Sequence, residues 1–323
     1  MTYDIVGIGN PLLDVTVEIN EEILTKNNLT KGHMHLIDKQ TYENILNSID
    51  KTKMHEGLGG SVANTLASAN SIGVKTLYLG SIGDDEYGQQ YEQMTKESGV
   101  DCKFVRQKTP QGMCLVLITP DGERTFATYL GASIEFKKEN IDEEVIKNTK
   151  ILHIEAYQLD SPNQTEAIIH AMNIALENNI LISMDLADPS LIQRHKKILE
   201  ELLEKYIDII FVNEHEAKEF TNLFEEEAVK YLSKFCKYAI VKLGEKGSLI
   251  MFENKLTKIP IHKVEVINTN GAGDTYAGAF LACLIKNLPI EQCGKIASYL
   301  SSQVVASPYS RIMKNMENEI NFI

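Results

Sequence analysis

The sequence predicts an α/β protein with a central, mostly parallel sheet and a small β-rich lid. Three patterns support this prediction. From about residue 150, apolar strand segments alternate with helical ones, which is typical of a parallel sheet covered on both faces. Residues 3–9 form an apolar run ending in glycine, as a buried strand does. Segments 12–38 and 104–130 contain strands with one polar face, and we expect them to form the discontinuous lid.

Length and composition fit one globular domain, which we expect to span residues 1–323. Of these 323 residues, 43% are hydrophobic and 24% charged, so a large core can form. The net charge of −13 disfavours binding to nucleic acid or to an anionic membrane. A nucleotide needs only a local cluster of N–H groups and cations. The expected partners are therefore small molecules.

The N-terminus and the cysteines predict a cytoplasmic protein. The first residues read as a strand, because they lack the basic segment and cleavage site of a signal peptide. No apolar run is long enough to cross a bilayer. The five cysteines are scattered, which suits free thiols in a reducing compartment. Monomer and homodimer both remain open.

The first half of the chain begins with the buried strand and the lid. Residues 13–19 alternate between apolar and polar side chains, and residues 33–37 are the expected partner strand. The remaining predictions are a helix from Asp38, a glycine-rich stretch before a helix over 65–72, a strand at 75–80, a helix ending near 98, and a hairpin of 113–119 and 123–129 around Pro-Asp-Gly.

The second half carries the strand–helix repeats. Its predicted strands are 151–154, 180–185, 207–212 and 238–243, and its predicted helices open at Ser161-Pro162, near 191 and at about 214. Two small-residue helices follow, over about 273–287 and 290–306. Val264, Val266 and Ile267 suit the end of a strand ahead of the first of these helices.

The junction before the helix at 273 has a clear chemical use. Gly271, Ala272 and Gly273 carry little side chain, so an anion can approach the unpaired N–H groups at the helix start. Asp274, in the first turn, could accept the proton of a hydroxyl that attacks the terminal phosphorus of a nucleotide. The plain alternative is an ordinary helix start with a favourable acidic residue.

Polar residues also follow the predicted parallel strands, where α/β proteins bind their ligands. Asp185 ends one strand, Asn213 follows another, and Lys242 precedes a glycine turn over 244–247. Asn213 and Glu216 are three residues apart, so a helical turn would place both on one side, where they could hold Mg²⁺ through its waters. A capped acidic helix start explains the same pair.

Two candidate groups lie near the lid. Asp14, on the polar face of its strand, could accept hydrogen bonds from sugar hydroxyls, or it could be an ordinary exposed residue. Gly59 and Gly60 allow close approach of a ligand beside Asn64, or of another backbone. Arg124 is the conspicuous cation of the hairpin, and it could equally be solvated.

Three common nucleotide-binding patterns are missing. Gly7-Ile8-Gly9 lacks the third glycine of a dinucleotide fingerprint, and Pro11 stands where its helix should begin. The sequence contains no Gly-x-x-x-x-Gly-Lys-Ser/Thr and no protein-kinase signature set.

The remaining motifs, taken in order, resemble those of the ribokinase-like, or PfkB-type, carbohydrate and nucleoside kinases across essentially the full chain. Gly59-Gly60-Ser61-Val62-Ala63-Asn64 is similar to the N-terminal signature of that family, and Asn268-Thr269-Asn270-Gly271-Ala272-Gly273-Asp274 to the C-terminal one. Asn213-x-x-Glu216 resembles its metal-associated motif. Residues 9–14, Arg124 and the run 185–189 are similar to adenosine kinases and their bacterial relatives.

The resemblance implies a three-layer α/β/α kinase with a lid. It implies ATP and Mg²⁺, and transfer of the γ-phosphate to the 5′-hydroxyl of a nucleoside, adenosine first. A sugar kinase of the same family, acting on ribose, fructose or a similar substrate, is the alternative. A non-catalytic nucleotide-binding relative is the third reading, and the intact Asp274 motif disfavours it.

The resemblance also implies residue roles. Asp274 is the base. The hole for the phosphoryl group consists of Gly271, Ala272 and Gly273. The nucleoside site consists of Asn10, Asp14 on the ribose hydroxyls, Gly59, Gly60, Asn64 and Tyr157, which stacks on the base. Arg124 swings from the lid toward the phosphates. The ATP site consists of Asn213, Lys242, Gly244, Gly247, Gly271 and Gly273, and the Mg²⁺ site of Asn213 and Glu216.

Two departures from the family pattern leave points open. Asn268 stands where the family usually has Asp, so the need for a monovalent cation is open. Met34 stands where adenosine kinases carry a polar residue that contacts the base, so the identity of the base is open.

Overall fold

The computed structural model describes residues 2–320, so Met1 and residues 321–323 of the predicted domain lie outside the described range. Its strands are β1 (Ile5–Ile8), β2 (Leu12–Glu18), β3 (Met34–Leu36), β4 (His55–Leu58), β5 (Thr76–Gly83), β6 (Asp101–Gln107), β7 (Gly112–Ile118), β8 (Arg124–Tyr129), β9 (Ile151–Glu155), β10 (Leu181–Asp185), β11 (Ile209–Asn213), β12 (Tyr238–Lys242), β13 (Ser248–Phe252) and β14 (Lys255–Ile259).

Most of the α-helices of the described range cover the two faces of the main sheet. The α-helices are α1 (Glu22–Lys26), α2 (Lys39–Ser48), α3 (Ser61–Ser71), α4 (Glu86–Glu97), α5 (Glu143–Lys147), α6 (Pro162–Glu177), α7 (Pro189–Lys205), α8 (Glu214–Thr221), α9 (Glu225–Leu232), α10 (Ala272–Ile285), α11 (Ile290–Val305) and α12 (Glu317–Ile320).

The main sheet has nine strands in the order β14-β13-β12-β11-β10-β9-β1-β5-β6. From β12 to β6 all neighbours are parallel, and β13 and β14 add an antiparallel hairpin at one edge. The predicted three-layer architecture with a mostly parallel sheet is confirmed. Such a sheet aligns the carboxyl ends of its parallel strands along one edge, where ligands bind.

Two hydrophobic cores hold helices against the two faces of this sheet. In β11, Ile209 and Phe211 pack into the core shared with α3, α10 and α11, while Ile210 and Val212 pack into the core shared with α6 to α9. This alternation follows from the two-residue period of a strand. Within residues 2–320, no helix combines the length and the hydropathy needed to span a bilayer.

A second sheet of five strands, in the order β3-β8-β7-β2-β4, corresponds to the predicted lid. The hairpin of β7 and β8 is antiparallel, with Met113 opposite Tyr129, as predicted. The expected pairing of residues 13–19 with 33–37 is wrong. Strand β2 pairs instead with β4 and β7, which occupy both of its edges, and β3 pairs with β8.

The bounds of the second sheet also differ from the predicted lid. Residues 104–107 belong to β6 of the main sheet, and β4, which precedes the glycine turn at Gly59, was not predicted. Both are edge strands in the described structure, and their mixed polar composition gives little strand signal. That the second sheet moves as a lid remains a prediction.

Two element predictions near the site are corrected. Residues 264–267 form a loop rather than a strand end, since β14 stops at Ile259 and Pro260 lacks the N–H needed to extend the ladder. Val266 is accordingly 66% exposed. Helix α3 begins at Ser61 instead of Thr65, because Gly60 takes φ +88° and turns the chain directly into the helix.

Candidate active site

Four polar side chains stand at the carboxyl ends of neighbouring parallel strands. Asp185 is level with Glu155 on the adjacent strand, and Asn213 is level with Lys242. Glu155 was not predicted, although it ends a buried apolar strand just as Asp185 does. The aligned ends therefore bring three predicted residues and one further carboxylate to the same edge.

These residues open onto a cleft of about 880 Å³, within the range of small-molecule sites. Its wall includes the predicted residues Asp185, Asn213, Glu216, Lys242, Gly244, Gly247, Ala272, Gly273 and Asp274. The loop before α10 closes another side with apolar side chains, including Val264 and Val266. The cleft thus joins a charged floor to an apolar wall.

The start of α10 lies in this cleft. Gly271 is the N-cap, in the left-handed conformation with φ +74°, and the helix has no side-chain cap. The Ala272 N–H donates to the Thr269 carbonyl at 3.3 Å. Among residues 2–320, the N–H groups of Gly271, Gly273 and Asp274 have no hydrogen-bond partner. Of the predicted set, Gly271 and Gly273 therefore keep free amides, to which Asp274 adds a third; that this helix start binds an anion remains a prediction.

Lys242 supplies the cation beside this helix start. A Cβ on Gly273 would come within 3.1 Å of the Lys242 Nζ, so the missing side chain lets the ammonium approach the amides. Nζ also donates to Asp185 Oδ2 at 2.7 Å. Burial opposes the charge on Lys242, but the carboxylates of Asp185 and Glu216 outweigh burial and raise its pKa.

Asp274 is fixed from the opposite side of the cleft. Asn64 Nδ2, on α3, donates to Asp274 Oδ2 at 2.9 Å, and α3 and α10 pack against each other. Burial raises the pKa of Asp274 to about 6, while the Asn64 hydrogen bond and the charge of Lys242 lower it in part. Such a carboxyl is ionised near neutral pH and holds a proton better than an exposed aspartate does.

Asn213 and Glu216 form the cap of α8. Asn213 Oδ1 accepts from the N–H groups of His215 and Glu216, at 2.9 Å each, and Glu216 Oε2 accepts from the Asn213 N–H at 2.7 Å. Glu216 is buried, and burial raises its pKa to about 7. The plain alternative, a capped helix start, is therefore observed, and the pair also faces the cleft.

The nucleoside-side candidates cluster around the glycine turn. A Cβ on Gly60 would lie 2.6 Å from the Asn10 carbonyl, and a Cβ on Gly59 would collide with the Asp14 carboxylate. Asn10 is buried, and its side-chain oxygen accepts from Gln164 Nε2 at 2.6 Å. Burial raises the pKa of Asp14 to about 6. The turn thus packs directly on the two polar residues.

Two further predicted site residues, Arg124 and Tyr157, belong neither to the cleft lining nor to the contacts around the glycine turn described above. Arg124 opens β8 on the exposed end of the hairpin and forms no ion pair with any part of the chain that the structure describes. Tyr157 lies in a short 3₁₀ turn after β9 and packs its ring against the core under α6 to α9. Their roles in binding phosphate and base remain predictions.

Arg311 is a functional candidate that was not predicted. Its side chain is only 4% exposed, and its Nη2 donates to the carbonyl oxygens of Leu58 and Gly59 at 2.8 and 3.3 Å. It belongs to an irregular segment between α11 and α12. Such a segment has no periodic pattern that would mark a buried charge in the sequence.

The donor set at α8 fits Mg²⁺ held through water. Each Glu216 oxygen accepts one hydrogen bond within the cap and keeps a further lone pair that can accept from a metal-bound water, whereas Asn213 Oδ1 already accepts two. Within the described residues, no group of three or more His, Cys, Asp and Glu could hold a metal ion alone. Mg²⁺ commonly keeps several waters and is shared with substrate phosphates, which suits this geometry.

Comparison with known proteins places the chain in a family. The family model described as pfkB family carbohydrate kinase matches residues 26–316. Adenosine kinase 2 of Arabidopsis thaliana is 28% identical over 94% of this chain and 94% of its own length.

Two solved structures are similar over nearly the whole chain. The adenosine kinase from Sinorhizobium meliloti has a TM-score of 0.90 at 28% identity and covers 100% of this chain and 99% of its own. A probable sugar kinase protein from Rhizobium etli CFN 42 has the same TM-score at 29% identity and the same coverage. The chain therefore belongs to the pfkB family of carbohydrate kinases, and it is a kinase that phosphorylates an alcohol group.

Proposed function

We propose that the protein is an adenosine kinase that transfers the γ-phosphate of ATP to the 5′-hydroxyl of adenosine. The observation that carries this proposal is the position of Asp274. Its carboxylate accepts a hydrogen bond from Asn64, which lies on α3 just after the glycine turn. It also stands in the first turn of α10, where the free amides and the neighbouring Lys242 favour an anion. Acceptor hydroxyl and phosphoryl group would meet at this point.

In the proposed mechanism, Asp274 orients the 5′-hydroxyl and receives its proton. Phosphoryl transfer has a loose transition state, so the hydroxyl becomes acidic late and a carboxylate suffices as the acceptor. The raised pKa of Asp274, about 6, suits this role near neutral pH. The free amides of α10 and the Lys242 ammonium stabilise negative charge on the transferring group.

The floor of the cleft explains why a divalent cation would accompany ATP. Five carboxyl groups line the cleft, those of Glu155, Asp185, Glu216, Glu245 and Asp274, beside two lysines, Lys242 and Lys263. A polyphosphate cannot approach such a site without added positive charge. Asn213 and Glu216 would hold Mg²⁺ through its waters, and the ion would neutralise charge on the phosphates.

The apolar wall of the cleft suits the purine ring of ATP. Val264 and Val266 lie in the loop that precedes the anion-binding turn, so a nucleotide with its phosphates at α10 would extend its base along this loop. The glycines of the turn over 244–247 border the same space.

The five free cysteines suit a protein of the reducing cytoplasm. The reaction would serve purine salvage.

For the acceptor, Asp14 and the glycine turn form the proposed ribose site. A carboxylate can accept hydrogen bonds from two neighbouring hydroxyls, which a nucleoside presents as its 2′ and 3′ groups. Adenosine is the nucleoside named for the Arabidopsis relative and for the Sinorhizobium meliloti structure.

A sugar kinase is the second candidate. Met34, in β3, is 44% exposed and provides no polar contact for a base. The similar Rhizobium etli structure is that of a probable sugar kinase.

ADP release, measured with a panel of nucleosides and sugars, separates the two candidates. We expect adenosine to give the highest kcat/KM and 5′-AMP as product. 5′-Deoxyadenosine, which lacks the acceptor hydroxyl, is the matched control and should bind without releasing ADP. A higher kcat/KM with ribose or fructose would establish the sugar kinase instead, and no acceleration by any member of the panel would contradict both candidates.

A further inference from the structure

The segment at residues 307–313 connects both halves of the site. Asn268 Nδ2, in the loop before α10, donates to the Pro308 carbonyl at 3.2 Å. A Cβ on Gly271 would collide with the Ser310 carbonyl, so the anion-binding turn rests directly on this segment. On the other side, Arg311 donates to the carbonyls of Leu58 and Gly59. The segment therefore links the α10 turn to the turn beside Asp14.

Arg311 and Ile312 are the buried residues of this segment, and Arg311 is the charged one. Tyr309 and Met313 are 58% and 65% exposed, whereas Arg311 is 4% exposed. Its Nε and Nη1 are buried and have no hydrogen-bond partner within residues 2–320. Burying a guanidinium with spare N–H groups is unfavourable. A neutral donor could hold the two carbonyls without that penalty, so the positive charge itself requires an explanation.

The titratable groups whose charges act on Arg311 come from four elements, and one of them, Asp14, lies against Gly59, whose carbonyl Arg311 binds. Asp14 lies on β2, Tyr78 on β5, Tyr91 on α4 and Asp274 on α10. The Tyr91 hydroxyl donates to the same Gly59 carbonyl at 2.9 Å. Both tyrosines have pKa values raised by burial, so they are neutral near pH 7. The two carboxylates are therefore the groups on which the charge of Arg311 acts.

We propose that Arg311 is a positioning residue of the nucleoside site: its guanidinium, held by the carbonyls of Leu58 and Gly59, keeps Asp14 and Asp274 ionised. Asp14 must be ionised to accept hydrogen bonds from two hydroxyls, and Asp274 must be ionised to receive a proton. Burial raises the pKa of each carboxyl; Arg311 is the main group that lowers the pKa of Asp14, and at Asp274 it adds to the lowering by Asn64 and Lys242. The inference rests on the proposed function.

Two substitutions separate charge from hydrogen bonding. Arg311→Gln removes the charge and keeps a donor for the carbonyls, and Arg311→Lys keeps the charge and loses the forked geometry. The readout is the acid limb of kcat/KM for adenosine against pH. We expect the Gln variant to move the apparent pKa of this limb upward by about one unit, and adenosine KM at pH 6 to rise about tenfold. The Lys variant should keep the wild-type acid limb.

Arg194→Met is the matched control, because Arg194 is a half-exposed arginine on α7 that pairs with Asp160. It should leave the profile unchanged. The inference is overturned if the folded Gln variant keeps the wild-type acid limb, or if the folded Lys variant shifts it. Either variant therefore tests the inference even if the other fails to fold. If the wild-type enzyme phosphorylates a sugar and not adenosine, the adenosine proposal is wrong. The pH profiles of the Arg311 variants, measured with that sugar, would then still test the positioning role of Arg311.

Discussion

Asn64 donates a hydrogen bond from Nδ2 to Asp274 Oδ2 at 2.9 Å and thereby joins two motifs that lie 210 residues apart. The contact depends on the packing of α3 against α10, since Gly278 brings the α10 backbone against the Thr65 carbonyl and Ser68 Oγ donates to the Thr275 carbonyl at 2.7 Å. The two glycine-rich motifs of the sequence therefore form one structural unit, in which the α3 side orients the carboxylate of the α10 side.

Asn64→Ala should lower kcat by about 10- to 100-fold, because a hydrogen bond to a charged group contributes about 1.5–3 kcal/mol. Without that bond the pKa of Asp274 should also rise, which moves the acid limb of the kcat profile upward. Asn70→Ala, at the far end of the same helix, is the control and should leave kcat nearly unchanged. Equal kcat for the Asn64 variant and the control would refute the orienting role of Asn64.

The raised pKa of Asp274 also predicts a pH-dependent effect on stability. Since its folded pKa of about 6 exceeds its ordinary value, the group stabilises the fold at low pH, and this contribution is lost as pH rises through 6. Asp274→Asn should therefore raise Tm at pH 8 by a few degrees, about 2–6 °C, and the difference should shrink to about a third near pH 4.5, because the ordinary pKa lies still lower, at 3.8. Differential scanning calorimetry at both pH values measures it.

Asp121→Asn gives the opposite comparison, because hydrogen bonding to Lys31 lowers the pKa of Asp121 in the folded protein. That variant should not gain stability at pH 8. A Tm difference for Asp274→Asn that is equal at both pH values, or negative at pH 8, would show that burial does not raise its pKa.

Lys242→Met should raise the KM for ATP by at least about tenfold and change the KM for adenosine much less. The variant loses the ammonium that lies beside Asp185 and Glu216, and it leaves Asp185 without its 2.7 Å partner. Steady-state kinetics with each substrate varied in turn measures the effect. Lys258→Met, which removes an exposed lysine of β14 paired with Glu226, is the control. An unchanged KM for ATP would remove Lys242 from the ATP site.

Arg124→Ala should slow turnover by at least about tenfold while adenosine affinity, measured by calorimetry, changes much less. The reason is its exposed position on the β7–β8 hairpin, from which it reaches the phosphates only if the second sheet closes. Arg106→Ala, at an exposed arginine of β6 paired with Glu92, serves as the control. Identical kinetics of the Arg124 variant and wild type would contradict a role for Arg124 in closure.

The elements that the sequence predicts best are those that depend on interactions between residues close together in the chain. Apolar runs ending in Asp185, Asn213 and Lys242 gave the parallel sheet and its ligand-binding edge, because parallel strands are buried on both faces. The helix start at Asp274 followed from glycine and the unpaired amides of a helix terminus. The hairpin of β13 and β14 was not predicted, although Asn254 at its turn takes φ +60°, a conformation that Asn favours.

The parts that were missed depend on tertiary contacts. Arg311 becomes buried only when its segment packs between two turns that are distant in sequence, and no local pattern records this packing. The choice of β8 rather than β2 as the partner of β3 depends on which edges of β2 are already occupied. Which amides at the start of α10 are free, and that the Ala272 N–H instead donates to Thr269, likewise depends on tertiary structure.

The most direct test of the central claim is the turnover of Asp274→Asn with ATP and adenosine, measured as ADP release beside adenosine affinity from calorimetry. The variant keeps an oxygen for Asn64 Nδ2, so fold and binding should persist. We predict that kcat falls about 10²–10⁴-fold while adenosine affinity stays near that of the wild type. Turnover within a few-fold of the wild-type rate would show that the proton of the attacking hydroxyl goes elsewhere, and the mechanism would be wrong.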